Sequence, residues 1–582
     1  MYRLFLRLWK GLDKYRKFQV LSLTVLMVIC AFAELLTISA VVPFISILVT
    51  PDLIIENSYI SYFSDVFNLT SIADIRNGIT IIFITLVIIA ALLRFFLLYF
   101  QTRLSFEIGA DFARSMYFKT LSQSYLVHVG RNSSEIVSTV VLKANNLSTS
   151  ALLPLLTLIS SAVILLFILA GIIIVDPAVS IVVFTSFLSA YLIISFFTKK
   201  RLDVDSSDVN FKQDGLMKSL QEGLGGIRDI IIDNLQKIYA KNFEKSHYGF
   251  RRAAGNIHII ASGPKYAIEA IGMIVIVGIA LSMINSNSES MVDGIPTLAV
   301  FALGAQKLFP ILQGMFASIA TLRGSKDSMY AVFNLYDQTI PVAHSNNETI
   351  KFEKQIVFKD VTFRYSDGQP NVLSDIAIDF SKGEKIGIIG ETGSGKSTFL
   401  DILMGLIIPT QGNLYVDDKK INNDNFSSWH KHISHVPQSI YLIDATIAEN
   451  IAFGLNLSDI DIEKVKDAAK KAQISETIES LDEQYFTKVG ERGIRLSGGQ
   501  IQRIGLARAL YKDTDVIILD EATSALDNST ETKVMNAIDK LNNDLTIFIV
   551  AHRHSTLKNC NKIIKIESGR ATTFNSYQEI LD

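Results

Sequence analysis

The chain has 582 residues, 49% of them hydrophobic and 19% charged, with a formal net charge of −2 and a mean hydropathy of +0.32. That balance is too apolar for an ordinary soluble protein of this size and too neutral for a nucleic-acid binder, and the length calls for two or more domains. The two cysteines, Cys30 and Cys560, lie in an apolar run and in the polar half, so no disulfide between them and no metal-ligand spacing is expected.

The apolar material fills the first 330 residues. Runs long enough to cross a bilayer lie at about 18–49, 79–100, 149–175, 178–198, 257–284 and 295–320. A signal peptide with Ala31 and Ala33 at its cleavage site is the alternative for the first run. The apolar stretch continues well past them, which favours an uncleaved anchor. Basic residues set the orientation. Arg3, Arg7, Lys10, Lys14, Arg16 and Lys17 precede the first span, and "KKR" opens the polar stretch 199–256. In contrast, 50–78 offers only Arg76, and neither the turn at Asp176 nor 285–294 offers any. The expectation is an all-α membrane domain over 1–330 with six spans and both termini cytoplasmic. Two polar projections, about 101–148 and 199–256, lie on the same side.

Five ionisable residues fall inside these spans: Glu34, Arg94, Lys265, Glu269 and Lys307. A charge at the centre of a bilayer costs about 2.5–3.5 kcal/mol on insertion scales, so such groups face a polar cavity or one another. Two readings stand. One is structural pairing, Glu34 with Lys307 for example. The other is a partly basic cavity for an anionic substrate, with Arg94, Lys265, Lys307 and Glu34 as its candidates.

After Leu322 the composition turns polar, and "YDQTIPVAHSNNETIKFEK" marks a linker over 331–349. From 350 to 582 short β-rich runs alternate with helical stretches: "IVFKDVTFRY", "KIGIIG", "VIILDE" and "TIFIVAH". This is an α/β nucleotide-binding pattern. Directly after "KIGII" comes "GETGSGKST", made of Gly390, Glu391, Thr392, Gly393, Ser394, Gly395, Lys396, Ser397 and Thr398. Strand, glycine-rich turn and helix in that order form a P-loop. Its amides cradle phosphates, Lys396 reaches the β and γ oxygens, and the Ser397 hydroxyl ligates Mg2+. Asp520 ends the apolar run "VIIL" and suits a second Mg2+ contact, while Glu521 beside it is placed to polarise water. ATP and Mg2+ are therefore the expected cofactors. In "LSGGQIQRIGLARAL", which begins at Leu496, two glycines precede a helix whose free N–H groups point at an anion.

These motifs, in this order over nearly all of 350–582, resemble the nucleotide-binding domain of ATP-binding cassette (ABC) transporters. The resemblance implies roles for further residues. Tyr365 in "TFRYSDG" stacks on adenine, and Gln438 in "HVPQSIYLID" touches Mg2+ and the attacking water. Asp527 in "SALD" lies at a dimer interface, and His552 in "VAHR" contacts the γ-phosphate. Ser497, Gly498, Gly499 and Gln500 form the signature, which binds the γ-phosphate of an ATP held by a second copy's P-loop. "KVGERG", Lys488 to Gly493, resembles an extra loop found in exporters. His554 departs from the usual leucine, but no catalytic position departs. Six spans fused ahead of one cassette resemble half-size exporters, which implies a homodimer, with Tyr125–Ile136 and Ser219–Ile230 as contact points for the cassettes.

A second, narrower resemblance concerns the substrate. "ELLTISAVVPFI", Glu34 to Ile45, is similar to the first span of bacterial flippases of lipid-linked oligosaccharides. So are Pro264 with its following basic residue and Glu269, and the spacing of Lys307 and Pro310. It implies an anionic lipid-linked glycan moved across the bacterial cytoplasmic membrane, with membrane lipids as surroundings and no nucleic-acid partner. The segment 50–78, amphipathic around "YISYF", corresponds to a short external helix. A lipid A or phospholipid flippase, a peptide or drug exporter, and an ATP-gated channel or regulator are the alternatives.

Overall fold

Prolines and glycines punctuate a series of long helices in the first half of the chain. The computed structural model describes residues 2–49, 71–175, 177–286, 291–340, 349–522, 527–539, 544–551, 557–576 and 578–580. They fall into two compact units, one of 1–122 with 131–339 and one of 123–130 with 340–582.

In the first unit a short helix, Tyr2–Gly11, buries Leu4 and Leu8 and leaves Tyr2 and Trp9 exposed. The helix Lys14–Ser39 breaks at Ala40 and resumes as Val41–Val49, with Pro43 in the first turn, where its missing N–H costs no helical bond. Ile72–Leu121 starts at an N-cap, Ser71, whose side chain accepts from the Asp74 amide. Next come a helical stretch from Ser133 to Val175, then Pro177–Gly225, Gln236–Ser262, Pro264–Ser286, Met291–Gly324 and Lys326–Tyr336. Pro264 stands at the first position of its helix, the place where proline is tolerated.

Among the described residues four helices are long and apolar enough to cross a membrane: Lys14–Leu48, Ile72–Leu121, Ser133–Gly171 and Gln236–Gly278. The other two expected spans, 178–198 and 295–320, fall on Pro177–Gly225 and Met291–Gly324, whose side chains are described only in part. The unit's core runs from Met27, Cys30 and Ala31 through Ile108, Phe112 and Met116 to Leu147, Ala151, Val332 and Phe333. Phe112 meets Phe333 edge-on at 6.0 Å and Tyr336 at 4.6 Å. Residues 331–336, within the stretch read as linker, are thus helical and partly buried. Residues 341–348 lie outside the described residues, as do 50–70, which hold "YISYF".

The second unit has two sheets. An antiparallel one has the order β2-β1-β4-β5, with β1 Gln355–Phe363, β2 Leu373–Ser381, β4 Gln411–Val416 and β5 Lys419–Lys420. The other has the order β10-β9-β3-β8-β7-β6, from β3 Lys385–Ile389, β6 Ile433–Val436, β7 Val516–Asp520, β8 Thr546–Val550, β9 Lys562–Glu567 and β10 Arg570–Phe574. It is parallel except for the β9–β10 edge. All five residues of β8, "TIFIV", are buried, as a central parallel strand covered on both faces requires. One core cluster packs Phe358, Phe380, Phe399, Trp429 and Phe548, with Phe399 stacked on Phe358 at 4.5 Å. Leu126, from the short helix Tyr125–Val129, packs against this same cluster. Residues 219–230 belong to the first unit.

Candidate nucleotide-binding site and a charged cluster among the spans

Beyond β3 the backbone turns through Gly390 (φ +153°), Gly393 (φ +83°) and Gly395 (φ +108°). A Cβ at Gly390 would lie 2.3 Å from the Ile566 carbonyl oxygen, and one at Gly395 would lie 3.0 Å from that of Val372. Only glycine fits either place. The helix Lys396–Leu403 starts straight from this turn, which puts Lys396, Ser397 and Thr398 in its first turn, where amides have no helical partner. Lys396 Nζ donates to the carbonyls of Gly390 and Glu391, both at 2.8 Å. Ser394 Oγ is buried with no hydrogen-bond partner among the described residues. Tyr365, half exposed, shares a 3.0 Å hydrogen bond between its hydroxyl and that of Thr398.

At the carboxyl end of the same sheet, β7 delivers Asp520. Glu521 follows in a left-handed conformation, φ +50°, which is uncommon for a residue with a side chain and is found at strained functional positions. Gln438 Nε2 donates to Glu521 Oε2 at 2.7 Å, so these two side chains meet across 83 positions of sequence. Burial, then the neighbouring Glu521 charge, pushes the Asp520 carboxyl above the usual range, with Lys396 pulling it the other way. Asp401, on the P-loop helix, is pushed up to about 6 by burial and by Asp520. Asp401 belongs to none of the motifs; its one signal in the sequence is an acid five residues beyond the P-loop lysine, on a helix packed against a sheet.

The set fits Mg2+ and a nucleotide. The buried unpartnered hydroxyl of Ser394, the left-handed glycine turn with unpaired amides, and an ammonium resting on mere carbonyls suit phosphate oxygens. Ser397, Asp520 and Gln438 offer the oxygen donors that a hard cation takes.

The signature segment is built as a helix cap. Ser497 accepts from the Gln500 amide at 3.3 Å, and Gln500 Oε1 accepts from the Ser497 amide at 2.7 Å, a reciprocal capping box on the helix Gly498–Tyr511. That uses the Ser497 oxygen as acceptor and leaves its proton to donate, beside the amides of Gly498 and Gly499. The arginines of this helix have structural partners. Arg503 Nη1 donates to the Gln473 carbonyl at 2.6 Å, and Arg508 donates to the carbonyls of Asn450 and Tyr441 at 2.8 and 3.0 Å. Asp527 caps its own helix, accepting from Ser529 Oγ at 2.6 Å and from the Thr530 amide at 3.0 Å. These bonds hold its carboxyl well below the usual range. His552 and residues 523–526 lie outside the described residues.

In the first unit, Glu34 is 2% exposed and serves two bases. Lys307 Nζ lies 2.6 Å from one carboxylate oxygen and 2.7 Å from the Thr37 hydroxyl; Arg94 Nε lies 3.1 Å from the other oxygen. The bases remain partly exposed, at 33% and 43%. Lys265 is not part of this cluster. It faces Glu269, four residues along its own helix, at 3.9 Å.

Comparison with known proteins agrees with both halves. Residues 25–305 match the family described as ABC transporter transmembrane region, and residues 373–524 match ABC transporter. The ATP-dependent lipid A-core flippase of Legionella pneumophila (strain Lens) is 33% identical over 395 residues, 67% of this chain and 66% of that protein. The same-named protein of Bordetella avium (strain 197N) is 30% identical over 66% of this chain and 65% of its own length. A putative multidrug export ATP-binding/permease protein, YgaD of Bacillus subtilis (strain 168), is 35% identical over 49% of each chain. The chain thus spans just under two thirds of the flippases it matches. The narrower resemblance to oligosaccharide flippases finds no specific counterpart among these relatives. A solved structure of a bacterial Atm1-family ABC exporter with ATP bound superposes with a TM-score of 0.79 at 20% identity, covering 98% of this chain and 97% of that one, a likeness of fold. With its two halves matched in this order and the exporter fold throughout, the chain belongs to the ABC transporter family, as a half-transporter with one membrane domain and one nucleotide-binding domain.

Proposed function

We propose that the chain is an ATP-driven exporter that works as a homodimer and moves a phosphorylated glycolipid across the bacterial cytoplasmic membrane. The observation that carries the substrate class is the cluster of Arg94 and Lys307 around the single acid Glu34. Two cations share one anion, so a surplus positive charge sits among the spans and is best met by an anionic group on the cargo. Phosphates of lipid A or of a lipid-linked oligosaccharide supply that group. The curated names of the relatives favour the first.

In the nucleotide half, Lys396 and the amides from Gly390 to Thr398 hold the triphosphate, and Tyr365 swings from Thr398 to stack on adenine. Ser397, Asp520 and Gln438 would hold Mg2+, which neutralises charge on the phosphates. Glu521, held by Gln438, orients the attacking water and accepts its proton. His552 contacts the terminal phosphate. Ser497 to Gln500 of a second copy, with Asp527 beside the interface, close the site from the other side, so neither copy completes it alone. Both termini lie in the cytoplasm.

The test is turnover and flipping by purified protein in proteoliposomes, with lipid A-core, a lipid-linked oligosaccharide, phosphatidylglycerol and peptides compared. Stimulation by phosphorylated glycolipids, lost in Arg94→Gln and Lys307→Gln at unchanged basal turnover, supports the reading. Stimulation by peptides or uncharged drugs alone overturns the substrate class. An absence of turnover in the presence of ATP binding points to a regulator instead.

A further inference from the structure

Between Ser133 and Val175 the chain is a helix of mixed winding. Ordinary α-helix covers Ser133–Val137, Ala144–Asn146 and Leu153–Val175, while Ser138–Lys143 and Leu147–Leu152 are π-helical. The amide of Ala144 reaches back to Thr139 O and that of Leu153 to Ser148 O, five residues each. Each π stretch acts as one residue inserted into an α-helix, and one residue is about 100° of rotation. Such turns are rare and poorly bonded in themselves, so something must hold them open.

The neighbouring helices do so with side chains. Ser105, on Ile72–Leu121, donates its hydroxyl to the Ser148 carbonyl at 2.7 Å. Ser325, at the break between Met291–Gly324 and Lys326–Tyr336, faces the Ser150 carbonyl at 2.9 Å and that of Leu322 at 3.1 Å, the shorter being the one its single proton favours. Both serines are buried, at 0% and 5% exposure. Gly109 lets the helices close up here, since a Cβ on it would lie 1.8 Å from Ser148 Oγ. The last residue of the first π stretch, Lys143, is 1% exposed and pairs with Asp214 of Pro177–Gly225 at 2.8 Å. Three helices therefore add specific polar contacts to the apolar packing of Leu147, Ala151 and Leu152 in the widened segment.

The segment's place in the chain gives the grip a use. Residues 138–152 separate 123–130, which belong to the nucleotide-binding unit, from the apolar helix Leu153–Val175. We infer that Ser105 and Ser325 are positioning residues for transport: their hydroxyls hold 147–152 in the π register, and their release lets that stretch close by a residue, rotating its two ends against each other. This rests on the reading of the chain as an ATP-driven exporter. A nucleotide-driven pull on 123–130 is then converted into rotation in one-residue steps along the helix that enters the spans.

Hydrogen exchange of amides 139–153 in the full-length protein in nanodiscs, nucleotide-free and ADP-vanadate-trapped, is the direct test. Wild type should show exchange that differs between the two states. In Ser105→Ala/Ser325→Ala the nucleotide-free exchange should shift about tenfold toward that of the trapped state, the effect of losing two modest hydrogen bonds. Its basal ATPase should stay within about twofold of wild type while stimulation by lipid A-core falls about threefold or more. Ser105→Thr/Ser325→Thr, which keeps both hydroxyls, should restore stimulation. Equal exchange in the two states of wild type overturns the inference, as does wild-type stimulation in the alanine variant. A loss of basal turnover and stimulation together in that variant also overturns it, because the serines are then merely structural. Absence of stimulation in wild type itself is the distinct failure of the exporter reading.

Discussion

The nucleotide site and the Glu34 cluster both gather charged side chains, yet they are built by opposite means. Lys396 and the P-loop amides come from nine consecutive residues, and a left-handed glycine backbone sets their geometry. Glu34, Arg94 and Lys307 come from three helices separated by as many as 273 positions, and only packing brings them together. In the first site the lysine rests on carbonyl oxygens. In the second a buried carboxylate is already neutralised twice over. A site fixed by local backbone should therefore tolerate loss of a side-chain charge without unfolding, while a cluster fixed by packing should tolerate loss of one base but not of both.

The sharpest break in that contrast comes from Glu521→Gln. Removing the carboxylate proposed to polarise water should lower hydrolysis about 10²–10⁴-fold, with ATP binding and melting temperature nearly unchanged. Turnover above about a tenth of wild type would count against the assignment of Glu521.

In the cluster the expected loss is of stability. Arg94→Gln/Lys307→Gln leaves Glu34 buried and unpaired, which should cost about 3–5 kcal/mol and depress folded yield in detergent. Adding Glu34→Gln should recover most of that loss. If the double variant folds as well as wild type, the pairing contributes nothing and the two bases are available wholly for cargo.

A smaller effect tests the backbone side of the comparison. Gly390→Ala combines a disfavoured φ with a Cβ 2.3 Å from Ile566 O, and should cost about 1–3 kcal/mol while weakening ATP binding. Calorimetric unfolding with nucleotide titration measures both, and a neutral variant would mean that the turn adapts.

The smallest concerns Asp401. Its carboxyl titrates near 6 in the folded chain against 3.8 when unfolded. The folded state therefore keeps its proton longer, and stability falls as pH rises from about 4 to about 6. Asp401→Asn should raise stability at pH 8 by on the order of 1–2 kcal/mol in Mg2+-free buffer, and the gain should vanish near pH 4. A gain that persists at low pH would trace it to packing.

Much of this molecule is legible in order of locality. The P-loop, the acid pair after "VIIL" and the capping serine of "LSGGQ" are each contiguous, so their backbone geometry follows from residue type and spacing. Gln438 beside Glu521 required the resemblance to a family, because the two meet only when β6 and β7 lie side by side. Long apolar runs announced the membrane helices. Their breaks are less legible: the residues 331–336 read as polar linker, yet Met329, Val332 and Phe333 on the same helical turns are buried against Phe112.

By itself the sequence determined the two-part architecture, the nucleotide chemistry and the presence of costly charges in the spans, because periodicity, glycine conformation and charge desolvation are properties of a residue and its near neighbours. Only the tertiary structure decided that Glu34 answers both Arg94 and Lys307 while Lys265 faces Glu269, that Asp401 is crowded by Asp520, and that 147–152 widen into a π turn held by Ser105 and Ser325. Each of these depends on which distant side chain arrives at a few ångströms, and hydrogen-bond and ion-pair energies change over distances far shorter than any sequence pattern can specify.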